Sequence, residues 1–242
     1  VRCICPGIAR KWFLLVASHH YSDVRVTIVM LDDRGEEGVV QLQSPFAALS
    51  SGLDGDVLMV LSGLSDRPFT VSAVQRLVPG GRSRNGVKKV LDRLTEQGIV
   101  VFDDIGGVST YALNRDHLLA SAVLEVAGAR TRFLDRVRGE IASMPVRYAA
   151  LFGSAARGAM RPDSDIDLFF AVDAVSRTDA EDRIYDLTIA VHRWTGNQVN
   201  PIVYDVSGVG PDDPLIGSIA SEGIPLVEDR RWLQAHLRKA AR

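Results

Sequence analysis

The chain has 242 residues, 46% of them hydrophobic and 24% charged, with a formal net charge of −2. This is a globular composition, long enough for one large or two modest domains, and its near-neutral balance excludes a protein whose whole surface coats a polyanion. No apolar run approaches the roughly 18 residues of a membrane span; the two cysteines, Cys3 and Cys5, are too close for a disulfide or a zinc half-site, which points to a reducing compartment.

In chain order, "KWFLLVAS" at 11–18 has the look of a signal-peptide core, but it is short and no small-residue cleavage site follows. A cytoplasmic location without a membrane partner is therefore expected. Residues 1–45 match nothing else in the chain and read as an N-terminal extension or a mis-assigned start, with the fold beginning near "VVQLQSPF" (39–46). Residues 51–64 read as a helix with Asp54 as N-cap and Val57, Leu58, Val60, Leu61 and Leu64 on one side. Residues 69–78 form a second helix, capped by Thr70 and stopped by Pro79-Gly80-Gly81. A third spans 83–98, with Val87, Val90, Leu91 and Leu94 at helical spacing and Gly98 just past its end. Residues 99–113 are two β-type runs joined at Gly106-Gly107, a hairpin.

Three helices followed by a hairpin over 46–115 resemble a winged helix-turn-helix domain. That resemblance implies a third helix in the DNA major groove and a hairpin wing. Arg82, Arg84, Lys88, Lys89 and Arg93 lie in or just before the third helix, the candidate nucleic-acid residues, and over 55–115 eight Lys/Arg face six Asp/Glu. Against this, Asp92 and Glu96 dilute the patch, and Asp103-Asp104 on the wing repel phosphate. The alternative is a solvated amphipathic face serving protein docking or a homodimer. Residues 116–145 read as a connecting helix, or two, ending at Pro145.

From 146 the pattern becomes α/β. "VRYAALF" is a strand, Gly153-Ser154 turns the chain, "SAARGAM" starts a short helix and "IDLFFAV" (166–172) is a second strand. A helix over 177–196, a strand over 198–206 and two C-terminal helices follow. A strand-to-helix turn offers free N–H groups to phosphate, and glycine permits close approach. Asp165 and Asp167, two apart in a strand, share a face. Like charges so close raise each other's pKa unless a cation sits between them, and two hard oxygen ligands suit Mg²⁺. The plain alternative is a turn capped by aspartates.

Gly153-Ser154, ten residues, then Asp165-Ile166-Asp167, read as "GSAARG…DSDIDL", resemble the nucleotidyltransferase superfamily related to DNA polymerase β, specifically its minimal bacterial members. The resemblance implies an α/β (α+β) domain with a mixed sheet over 146–242. Gly153 and Ser154 would hold a triphosphate, ATP being the expected substrate. Asp165 and Asp167 would be the catalytic residues and bind Mg²⁺, with the nucleotidyl group passing to a hydroxyl of a protein, tRNA or small molecule. Arg157 would contact phosphate or pair with an acid such as Asp163. A toxin–antitoxin role, or a DNA-bound regulator that only senses nucleotide, are the biological settings the resemblance suggests. The family's usual third acid, on the next strand, is missing. Asn200 lies near that place and Asp205 at the strand's far end, with opposite parity, and Pro201 between them marks an edge or bulge. His192 reads as a helix-end cap and Trp194 as packing.

Overall fold

The computed structural model describes residues 13–16, 26–29, 40–50, 52–63, 67–227 and 229–240. Cys3, Cys5 and most of the signal-like stretch lie outside them. The chain divides into two compact units, Val40–Phe133 and a larger one of Leu134–Arg242 with Val1–Val39. Among the described residues no helix is long and apolar enough to cross a membrane.

Two short strands, β1 (Phe13–Val16) and β2 (Val26–Val29), pair antiparallel and belong to the larger unit. The smaller, mainly helical unit follows with α1 (Leu53–Leu61), α2 (Val71–Leu77) and α3 (Arg84–Glu96). Thr70 caps α2 as expected, its Oγ1 accepting from the Ala73 N–H at 3.2 Å. Ser83 caps α3 the same way, through the Gly86 N–H at 3.1 Å. Asp54 does not cap α1. Gly52 holds that position, and Asp54 sits in the first turn, where it faces the helix dipole and pairs with Arg93.

β3 (Val100–Ile105) and β4 (Val108–Leu113) make the hairpin, and Gly106 and Gly107 take φ of +62° and +81°, the left-handed pair that a two-residue hairpin turn demands. Phe69 exchanges backbone hydrogen bonds with Tyr111 at 2.7 and 2.8 Å, adding an extended residue to the ladder. Val57, Val74, Val87, Leu91 and Tyr111 close the core of this unit. The connector is two helices, α4 (Ala120–Ala127) and α5 (Ala129–Ile141), split at Gly128, and the boundary between units falls inside α5.

The larger unit contains β5 (Val146–Phe152), α6 (Gly153–Arg157), β6 (Ile166–Val172), α7 (Arg177–Thr195), β7 (Val199–Asp205), α8 (Pro214–Glu222), β8 (Ile224–Pro225) and α9 (Trp232–Ala240). Its sheet runs β1-β2-β7-β6-β5-β8. β6 and β7 are parallel across the α7 crossover, and the other pairs are antiparallel, so the sheet is mixed. β6 is central, and Leu168 to Val172 along it are fully buried, which explains its unbroken apolar run.

Two sequence expectations change here. β1 and β2 are not an appendage, because β2 pairs with β7 at Val26↔Val203 and Thr27↔Ile202. Four-residue strands carry too little periodicity to announce themselves. Pro201 causes no bulge. The β6–β7 register runs through Leu168↔Pro201 without a shift, and the β2 ladder stops one residue short of it, which lets a residue lacking an N–H sit here.

Tyr148 on β5 is buried between Phe169 and Trp232, and that burial pushes its phenol up to about 12. The fold therefore favours the neutral form. The resulting stability is present below about pH 10, where an unfolded tyrosine ionises, and is lost as pH rises through about 12. Tyr148→Phe is expected to remove this alkaline loss, read as the urea midpoint of both proteins between pH 9 and 12.

Candidate functional site

β5 delivers its last residue, Phe152, opposite Asp167 of β6. The chain then leaves the sheet at Gly153, whose φ is +67°. A β-carbon on Gly153 would run into the Asp167 carboxylate. Glycine is thus required twice, for the left-handed backbone and for its passage directly over that carboxylate. Gly153→Ala is expected to cost at least about 1–2 kcal/mol from backbone conformation alone and to push Asp167 aside. A lowered Tm together with weakened Mg²⁺–nucleotide binding would register both.

α6 is a single turn and a half, ended by Gly158 at φ +68°, with Ser154 half-buried in its first turn. Arg157 at its end is exposed and pairs with Glu222 of α8 at 3.0 Å, not with Asp163. The turn that follows is closed by Ser164, whose Oγ accepts from the Arg161 N–H at 2.7 Å.

Asp165 leads into β6 and Asp167 is its second residue. The parallel register sets Asp167 beside Asn200 of β7. The Asn200 side-chain Nδ2 donates to Asp165 Oδ2 at 3.0 Å and reaches Asp167 Oδ1 at 3.4 Å. Ionised carboxylates only accept, so the amide must turn its NH₂ toward them. Burial pushes the Asp167 carboxyl above its ordinary value. The Asn200 hydrogen bond opposes that shift, the Asp165 charge adds to it, and Arg157 opposes it.

Asp205 is elsewhere. It pairs with Val172 at the other end of the strands and is bound by Arg177 Nη1 at 2.6 Å. Of the two, only Asn200 borders the paired carboxylates. Accordingly, the described residues contain no group of three or more His, Cys, Asp and Glu able to hold a metal. The two adjacent half-buried carboxylates, Asp167 passing beneath the backbone of Gly153, still offer a pair of oxygen donors, while the Asn200 amide presents its NH₂ to them. That set suits a hard divalent cation such as Mg²⁺.

Sequence reasoning missed Asn197, which is fully buried and donates from Nδ2 to the Ser164 carbonyl at 2.9 Å. A polar residue just after a helix-stopping glycine gives no sign of such a distant partner. His192 lies in the last turn of its helix as expected, with Nδ1 at 2.9 Å from the Asn197 carbonyl. Trp194 lies under the Arg136 guanidinium at 3.8 Å.

In the helical unit, Arg84 and Lys88 border a cleft of about 530 Å³ between α3 and the hairpin, also lined by Asp92, Glu96, Phe102 and Tyr111. Lys88 pairs with Asp92 at 2.6 Å, and Arg82 pairs with Asp56 at 3.8 Å. Arg84 donates to Ser72 Oγ at 3.4 Å. Lys89 is exposed and, like Arg82, is not part of the cleft lining. Carboxylates thus interleave the cations that the sequence singled out.

The family model for "Polymerase beta, Nucleotidyltransferase" matches residues 141–229. A solved structure described as a toxin-antitoxin with AMP-PNP is similar to this chain at 17% identity, covering 46% of this chain and 82% of its own, with a TM-score of 0.32. No curated protein matches the chain.

Proposed function

We propose that the protein, whose residues 141–229 match the polymerase β nucleotidyltransferase family model, transfers a nucleoside monophosphate from a nucleoside triphosphate, ATP by preference, to a hydroxyl acceptor with Mg²⁺. The observation that carries this reading is the placement of Asp165 and Asp167 side by side at the head of β6, beneath the Gly153 turn. Asp165 and Asp167 would hold the ion. When bound, it would neutralise phosphate oxygens and help align the α-phosphorus. The Gly153–Ser154 backbone and the Ser154 hydroxyl would hold the triphosphate. Arg157 would exchange its exposed Glu222 partner for phosphate, a small loss because such surface pairs contribute about 0–1 kcal/mol.

In the transfer the acceptor oxygen bonds to the α-phosphorus as the α–β bridge breaks, pyrophosphate leaves, and the hydroxyl proton must be taken up. Asn200 cannot take it, since an amide is not a base at neutral pH. The intrinsic rate is therefore slow unless the acceptor's surroundings or the solvent supply a base. Acceptors with a hydroxyl in reach include a protein side chain, a tRNA end or a small molecule. In a toxin–antitoxin setting the product of an adjacent gene would be the first to try.

Asn200 also favours a second reading, a regulator that binds nucleotide without transferring it. In that reading the helical unit acts as a winged helix, and Arg82, Arg84, Lys88 and Lys89 meet DNA. Incubation with α-labelled triphosphate, Mg²⁺ and cell lysate separates the two. Label on an acceptor, lost in Asp165→Ala and Asp167→Ala, supports transfer. No label in any acceptor fraction, with salt-sensitive DNA retention by the full chain, supports the regulator.

A further inference from the structure

Asn197 occupies the turn between α7 and β7 and is 0% exposed. Its backbone N–H donates to Thr195 Oγ1 at 3.2 Å, and Thr195 Oγ1 donates to the Val191 carbonyl at 2.8 Å. The end of α7 is thereby fixed, just where Gly196 stops it at φ +75°. From this fixed base the Asn197 Nδ2 crosses to the Ser164 carbonyl at 2.9 Å. The next residue, Gln198, accepts the Ile166 N–H at 2.8 Å, and Asn200 meets both carboxylates. One four-residue segment therefore touches the aspartate loop at 164, 165, 166 and 167.

The loop's own bonds, between Arg161 and Ser164, only close its turn. Asn197 ties that turn to the rest of the unit on the residue immediately before Asp165. Its Oδ1 is buried and has no hydrogen-bond partner among the described residues. What the position uses is the Nδ2 donor.

We infer that Asn197 is a positioning residue for the metal–nucleotide site: by holding the Ser164 carbonyl it sets Asp165 at the distance from Asp167 that a shared cation needs. The inference rests on the nucleotide-binding reading above. Partners that orient a metal ligand are worth about 10–100-fold in affinity, and Asn197 holds the turn on the residue just before the ligand, in addition to the Ile166–Gln198 and Asp165–Asn200 bonds.

The test uses the full chain and isothermal titration with Mn²⁺ alone, then with Mn²⁺ plus a non-hydrolysable ATP analogue. Asn197→Ala is expected to weaken Mn²⁺ binding at least about tenfold. Thr188→Val is the control. It removes another buried bond of α7, Thr188 Oγ1 to the Ile184 carbonyl at 2.8 Å, away from the loop. Thr188→Val should lower Tm and leave Mn²⁺ affinity within about twofold of wild type.

Asn197→Ala with a cooperative melt and wild-type affinity overturns the inference. If Asn197→Ala does not fold, Asn197→Ser, which keeps a small polar group too short to reach Ser164, is judged by the same criterion. In the wild-type protein the Asn197 side-chain amide resonance should shift on saturation with Mg²⁺ and the analogue, and an unmoved resonance overturns the inference by itself. A wild-type protein that binds neither ion nor analogue overturns both the inference and the reading beneath it.

Discussion

Asn200→Asp is expected to raise the rate of nucleotidyl transfer by about 10²–10⁴-fold, the range a positioned general base contributes. Asn200 already occupies the third corner, within 3.0 and 3.4 Å of the two carboxylates. The substitution changes its charge and basicity with little change in shape. The same change removes the hydrogen bonds that Asn200 donates to Asp165 and Asp167 and puts a third like charge beside them. The metal-free variant should therefore melt below wild type and recover strongly with Mg²⁺. A ligand at a hundred times its Kd stabilises by about 2.7 kcal/mol. Melting in EDTA and in millimolar Mg²⁺, alongside transfer of labelled AMP, reads both effects. Unchanged transfer with a metal-independent Tm would mean that Asn200 does not border the ion.

Asp167→Asn should do the reverse. Burial holds the Asp167 carboxyl above its ordinary value, so the folded chain binds that proton more readily than the unfolded one. The favourable contribution is complete below the unfolded value, near pH 4, and disappears as pH rises through the raised folded value. At neutral pH the ionised group thus works against the metal-free fold. The neutral variant should be the more stable protein in EDTA at pH 7, and the difference in Tm should vanish toward pH 4. Its amide can still accept from Asn200 through Oδ1. Mg²⁺–nucleotide affinity should fall at least about a hundredfold, since even the loss of an outer-shell partner costs 10–100-fold. Stability gained and binding lost in one substitution would mark the strain as functional.

The site could be read from the sequence where its chemistry is local. Gly153, Ser154, Asp165 and Asp167 lie within fifteen residues, and the alternation of a strand alone puts the two acids on one face. Asn200 and Asp205 could be separated only by the β6–β7 register. Packing of α7 across the sheet sets that register, and no pattern inside β7 states it. Asn197 was hidden for the same reason, because its partner at Ser164 is 33 residues away. In the helical unit the caps at Thr70 and Ser83 are local and stand. Arg93 of α3 pairs with Asp54 of α1, and Arg82, in the loop before α3, pairs with Asp56 of α1, so the third helix read alone looked more basic than its surroundings leave it. β1, β2 and β8 are too short to show a period, and only their neighbours make them strands.

β8 is two residues long, and its second is Pro225, paired with Ala150 of β5, the strand that runs into Gly153. Proline offers no amide hydrogen to an incoming chain, and so brief a border gives little template for strand addition. This margin of the sheet, one strand away from the aspartates, is thus poorly suited to recognition by main-chain annealing. Self-association by strand addition is discouraged at this border, while the aspartate strand itself, paired on both sides by β5 and β7, offers no free edge at all.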